Sequence, residues 1–232
     1  MTVPPDATEQ RYLDELLSAM RGPCDAAFPA ASDFVSENFA REFRATLLIH
    51  HYFLKAPLAT NSFEAAFIRA AQAAGHKIKP APDGQRFWDV EMDGKKISLK
   101  STAAASLREQ TLHISKLTEA AWIQDMRGAA QREEETKKLF AEYVSTVDSI
   151  VQLRLFKKKA FYELVEIPTE LLAQVADVPR AEFAPDGPSI GIPVGTNPPD
   201  FTLKLDRSDA KITLANIRKD VCSVLATWQL GV

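Results

Sequence analysis

The segment RFWDVEMDGKKISLKS holds the residues best placed for chemistry. Strand alternation puts Phe87, Asp89 and Glu91 on one face, and Ser98, Lys100 and Thr102 on one face of the following strand, with Asp93-Gly94 as the tight turn between them. An acid and a lysine facing each other across adjacent strands, with Ile97 and Leu99 directed into a core, can hold a divalent cation beside a general base or a charge-stabilising ammonium. The same spacing also fits a cross-strand ion pair on a solvated face. The helical stretch before this hairpin adds Glu64, in line with Ile68 and Ala71, where an unpaired carboxylate is costly to bury. The alternative for Glu64 is a first-turn acid that complements the helix dipole just after a Ser62 cap.

The elements that must position these residues are legible as changes of period. Helical spacing covers residues 9–20, a longer stretch from a Ser32 or Asp33 cap to Pro57 that includes Phe34, Phe39, Phe43, Leu47 and Leu48, and a third stretch from Ser62 to Gly75. Alternation then predicts a β-hairpin over residues 86–101 and a strand over 110–115, followed by a long helix over 117–143. A second hairpin is expected over 149–167 across Lys157-Lys158-Lys159, with a short helix after Pro168. Residues 179–199, rich in Pro and Gly, read as irregular; a last hairpin turns at Arg207-Ser208-Asp209-Ala210, and residues 216–230 read as a closing helix.

The stretches FEAAFIRAAQAAG and RFWDVEMDGKKISLKST, then a strand and the helix expected to begin at KLTEAAW, resemble the catalytic core of PD-(D/E)XK nucleases, in particular type II restriction endonucleases. The resemblance covers residues 62–125 and implies that Glu64 is the helix glutamate, Asp89 the metal-binding aspartate and Lys100 the lysine of the acid-x-lysine motif. Ser98 departs from the pattern, which usually has a carboxylate there. Glu119, on the following helix, is the matched substitute, with Glu91 and Glu109 as weaker ones. The implied function is Mg2+-dependent, sequence-specific hydrolysis of phosphodiester bonds in double-stranded DNA, by a homodimer that brings one centre to each strand. A nicking or repair nuclease on the same core, and a catalytically inactive DNA-binding subunit, are the alternatives.

The chain of 232 residues is 46% hydrophobic and 25% charged, which fits one α/β (α+β) domain: an N-terminal helical region (1–60), a catalytic core (61–125) and a remainder (126–232) carrying sheet and DNA-recognition elements. A mixed sheet flanked by helices is expected. The formal charge of −3 excludes a global basic field, so DNA must be met by local groups: Ser98, Ser101 and Thr102 beside the motif, Lys157, Lys158 and Lys159 at a hairpin tip, and Arg207 at another. Two cysteines and no apolar run of membrane-spanning length point to a cytoplasmic protein without membrane association. No phosphate-binding glycine motif indicates a nucleotide cofactor. His50 and His51 are adjacent and cannot chelate zinc from one helix face, and a Ser98/Lys100 nucleophilic pair lacks an oxyanion loop.

Overall fold

The structure, a computed structural model, describes residues 4–28, 32, 35–58 and 60–231. Helix α1 (Ala7–Met20) opens on a capping box between Asp6 and Glu9, and α2 (Glu37–Leu54) opens on Ser36, whose hydroxyl accepts the Phe39 amide at 3.3 Å. Asp33 and Phe34 lie outside the described residues. Helix α3 (Thr60–Ala73) ends at Gly75, which takes the left-handed conformation that glycine adopts without strain.

Among the described residues eleven strands accompany these helices: β1 (Cys24–Ala27), β2 (Ile78–Pro80), β3 (Val90–Met92), β4 (Lys95–Thr102), β5 (Thr111–Glu119), β6 (Ser149–Phe156), β7 (Phe161–Pro168), β8 (Ser189–Val194), β9 (Phe201–Asp206), β10 (Lys211–Arg218) and β11 (Ser223–Leu230). Between β5 and β6 lies α4 (Ala129–Thr146), and between β7 and β8 the single turn α5 (Glu170–Ala173). Seven strands form a mixed sheet in the order β1-β11-β7-β6-β4-β3-β2, in which β4 and β6 are the parallel pair; four form an antiparallel sheet in the order β5-β10-β9-β8.

Alternation along the strands makes the large sheet apolar on both faces. Ile97, Leu99, Val151, Leu153 and Leu155 face Phe39, Phe43, Leu47, Phe63 and Phe67 of α2 and α3. The opposite face, through Ile150, Val165 and Ile167, packs on α4 and on the buried side of the small sheet. The small sheet therefore has one dry face and one wet face, as its alternating strand burial requires.

The fold class and the tight turn at Asp93-Gly94 stand as the sequence implies, and four element assignments change. The hairpin's first strand begins at Val90 because Phe87 adopts φ 82°, breaking the extended run. Residues 117–119 continue β5, since Leu117 and Thr118 are buried against β10, and the helix starts only after Gly128. The expected irregular segment contains β8, whose Ile190, Ile192 and Val194 enter the core. Residues 223–230 form a strand between β1 and β7 instead of a helix; Val224, Thr227 and Trp228 suit a pleated surface, and Trp228 is fully buried.

Candidate active site

The site begins with how Asp89 is fixed. Its amide donates to the Ile97 carbonyl at 2.9 Å and its carbonyl accepts the Ala81 amide at 2.8 Å, so the backbone is clamped from both sides. The β3–β4 ladder stops there, and the next inward amide of β4, Leu99 N, donates at 2.6 Å to Asp89 Oδ2. The carboxylate thus takes the place of a missing strand neighbour. Phe87, in the left-handed region, makes the bend that begins this arrangement. Such a conformation costs about 1–3 kcal/mol, and burial of the Phe87 ring against Tyr143, centroids 5.1 Å apart, offsets it.

Ser98 donates to the same Oδ2 at 3.4 Å and is itself wholly buried, with the buried Tyr143 hydroxyl against it. Both bonds fall on Oδ2, which leaves Oδ1 with its lone pairs. Ser98 is therefore a support for Asp89; its burial removes it from the residues that can touch a duplex.

Glu64, Asp89 and Lys100 line one cavity of about 320 Å³ together with Ser115 and Lys116 of β5. A second cavity meets the first at Asp89, Lys100 and Lys116 and carries Glu119 on its far wall. Glu64 and Glu119 thus line different cavities that share Asp89. Because α3 begins at Thr60, Glu64 stands beyond its first turn, so an N-terminal dipole role does not account for it. Burial, and then the field of Asp89, hold the Glu64 carboxyl above its ordinary range. Burial lowers the Lys100 ammonium; Asp89 opposes that shift and Lys116 adds to it. Among the described residues no ion pair joins Asp89 to Lys100, so the simple cross-strand salt bridge is not what the hairpin builds.

Glu119 differs from expectation in its element and in its partner. It closes β5, not a helix; its side chain is 78% exposed and its carboxylate sits 2.5 Å from Lys116 Nζ, which holds it below the ordinary carboxylate range. Glu91 pairs with Lys79 and Glu109 with Lys159, so both weaker substitutes are engaged away from Asp89.

Among the described residues no group of three His, Cys, Asp or Glu is gathered for a metal. Two carboxylates are nevertheless enough for Mg2+, which keeps several waters and takes one or two protein carboxylates. The Glu64–Asp89 pair fits that demand, since a cation between them removes the repulsion that raises Glu64.

Two residues escape the sequence reading. Gln152, in register with Lys100 on the parallel neighbour β6, donates to the His113 carbonyl at 2.8 Å while its own Oε1 is buried without a partner among the described residues. Its signal is a lone amide in the run SIVQLRLF. Lys116 is hidden by the assignment of a helix directly after it.

The expected DNA contacts separate. Ser101 lines the cavity with Lys100, while Thr102, the next residue of β4, lines a different one. Lys157, Lys158 and Lys159 form a single exposed or half-exposed turn at the β6–β7 tip, with Lys159 paired to Glu109. Arg207 is mostly buried and bound to Asp186 at 2.7 Å and to the Met126 carbonyl, a clasp between loops instead of a free probe.

A sequence model of the family described as SmaI, type II site-specific deoxyribonuclease, matches residues 18–230. The type II restriction enzyme SmaI of Serratia marcescens is 24% identical over 211 residues, which span 85% of this chain and 82% of that enzyme. A solved restriction endonuclease in complex with substrate DNA aligns over 94% of this chain and 81% of its own, at 11% identity and a TM-score of 0.31.

Proposed function

The chain belongs to the SmaI family of type II site-specific deoxyribonucleases, and from that premise we propose that it cuts double-stranded DNA with Mg2+ held by Asp89 and Glu64 and with Lys100 at the reacting phosphate. It is a sequence-specific restriction endonuclease. The observation that carries the metal assignment is the cavity in which two mutually repelling carboxylates line the same walls as a half-buried lysine. Glu64 is the preferred partner of Asp89, because the two feel each other's charge, whereas Glu119 is neutralised by Lys116.

The division of labour follows from the geometry. When bound, the divalent cation supplies Lewis acidity toward a phosphate oxygen and an acidified water. Asp89 presents Oδ1 from a carboxylate immobilised through Oδ2, which lowers the reorganisation needed at the moment of reaction. Lys100, whose proton affinity is reduced by burial, would steady the charge that develops on the phosphate. Ser98 and the Leu99 amide hold the Asp89 carboxylate in place.

A homodimer completes the reading, since one chain offers one such centre and a duplex has two strands. Tyr12, Leu13, Leu17 and Met20 of α1 are large, apolar and 40–49% exposed, and with Tyr52, Phe53 and Leu54 of α2 they offer a face to a second copy. No helix of the described residues is long and apolar enough to cross a membrane; we place the enzyme in the cytoplasm.

The test is incubation of the pure protein with supercoiled plasmid, with and without Mg2+. Mg2+-dependent linear product is expected from wild type and none from Lys100→Ala. Nicked product alone moves the reading to a nickase, and intact plasmid under every divalent metal moves it to a DNA-binding subunit.

A further inference from the structure

A third cavity, of about 260 Å³, opens beside the site and takes no part in the chemistry described above. Its walls carry Arg108, His113 and Lys204 with the neutral polar groups of Thr102, Ser106 and Asn216, and, among the described residues, not one carboxylate. In a chain with net charge −3 that composition is unusual, and it contrasts with the pocket near the β6–β7 tip, where Lys159 and Lys219 are balanced by Glu109 and Glu163. Neither Arg108 nor Lys204 takes part in an ion pair among the described residues, whereas Lys211, nearby on β10, is paired with Asp206 and Asp209. Burial and the charges of Lys204 and Lys211 hold the His113 imidazole below its ordinary range, so the local potential is positive.

The cavity is built, and it continues the site. Arg154 binds the main-chain carbonyls of Arg108 and Thr111, which anchors the loop that carries Arg108 to the large sheet. The β5–β10 register breaks between Leu214 and Ile217, and Asn216, with φ 52°, is turned into the cavity by that irregularity. On β4 the wall moves from Lys100 to Thr102, and on β5 from Ser115 to His113. Each is a step of two strand residues, about 6.7 Å, or roughly two nucleotide rises along B-DNA.

We propose that this cavity is a phosphate subsite, in which Arg108 and Lys204 hold a DNA backbone phosphate one or two nucleotides from the one positioned at Asp89 and Lys100. The proposal rests on the reading of the chain as a DNA endonuclease and names where the wet face of the small sheet meets its substrate. The subsite sets register and affinity, not base sequence.

The test is binding of wild type and of Arg108→Ala/Lys204→Ala to a random-sequence 30-base-pair duplex without divalent metal, over a series of salt concentrations. Each phosphate left without its cationic side chains lowers the slope of log K against log salt by about 0.9, so the double variant, which leaves this one phosphate unheld, is expected to lose about 0.9 in slope and to bind about ten-fold more weakly at low salt. Both side chains are off the core, so melting temperature should not move; an Arg108→Lys/Lys204→Arg variant should keep the slope. An unchanged slope in the alanine variant overturns the subsite. Wild type is assayed in parallel on plasmid with Mg2+: cleavage with an unchanged slope removes the subsite alone, while absence of cleavage and of duplex binding removes the nuclease reading beneath it.

Discussion

Two ionic clusters sit on one face of the large sheet, two residues apart along β4 and β6, and they are built to opposite rules. In the row of Thr102, Arg154 and Glu163, the charges are paired, although Arg154 Nε has no partner among the described residues: Arg154 meets Glu163 at 2.5 Å, Lys219 bonds the other Glu163 oxygen, and carbonyls of Arg108 and Thr111 accept the guanidinium. In the row of Lys100 and Gln152, the charges are left open. Among the described residues Lys100 has no ion pair and Gln152 Oε1 no partner, and Glu64 and Asp89 repel each other. A closed buried network holds shape; an open one stores electrostatic demand for a cation and a phosphate to satisfy.

The comparison breaks most sharply by mutation on each side. Asp89→Ala and Lys100→Ala should each lower plasmid cleavage by about a thousand-fold or more; melting temperature should be unchanged or raised for Lys100→Ala and lowered for Asp89→Ala, which leaves the Leu99 amide and the Ser98 hydroxyl without their acceptor. Glu163→Ala should do the reverse, destabilising the fold by about 3–5 kcal/mol because Arg154 and Lys219 are left uncompensated. Urea unfolding and a cleavage time course on the same preparations separate the two. An inactive but fully stable Glu163→Ala protein would show that both clusters belong to the site.

A smaller effect should distinguish the acids around Asp89. Glu64→Ala is expected to lower the rate at saturating Mg2+ by at least about a hundred-fold, and Glu119→Ala by less than about ten-fold. If Glu119→Ala is instead the more damaged, the third acid comes from β5, in line with the family resemblance. The rescue by Ser98→Glu that the resemblance invites should fail, since position 98 is fully buried against Tyr143 and a carboxylate there has no route to solvent or metal without repacking.

How much of this is legible in the sequence differs by region for physical reasons. The hairpin carrying Asp89 and Lys100 is readable because Asp93 and Gly94 both take positive φ, the signature of a tight turn, and because Ile97 and Leu99 alternate with Ser98 and Lys100. Its register follows from that. The element after Lys116 misleads because Leu117, Ala120 and Ile123 imitate a helical stripe; burial against β10 and a 3-10 turn at Ala121–Gln124 divide them between a strand and its exit. Glu119 consequently falls on the wrong element. Residues 223–230 mislead because Leu225 and Ala226 are buried side by side at a register shift against β7, which interrupts the alternation that Trp228 and Leu230 continue. Nor can the sequence reveal that Arg207 is spent on Asp186, since ion-pair choice is decided by loops far apart in the chain.

The smallest expected effect concerns stability and carries the sign of the open cluster. Folding raises the Glu64 carboxyl, so the folded state disfavours its charged form; the associated stability is present below the unfolded carboxyl range and is lost as pH rises through the raised value. Folding lowers the Lys100 ammonium, so the protonated form is disfavoured and stability is penalised at every pH below the lowered value. At neutral pH both groups therefore sit on the unfavourable side, the opposite of what ion-paired groups do. Glu64→Gln and Lys100→Met should each raise unfolding stability at pH 7 by about 0.5–1 kcal/mol while removing cleavage, as expected where a site is kept at the expense of stability. For Glu64→Gln the gain should fade as pH falls through the raised carboxyl range and vanish below the ordinary one, where the wild-type carboxyl is protonated in both states. Adding millimolar Mg2+ should stabilise wild type and leave both variants less affected, because the cation supplies what the open cluster lacks. A loss of stability in Glu64→Gln at neutral pH would mean that Glu64 is already satisfied within the fold, and the distinction between the two clusters would then fail at its most exposed member.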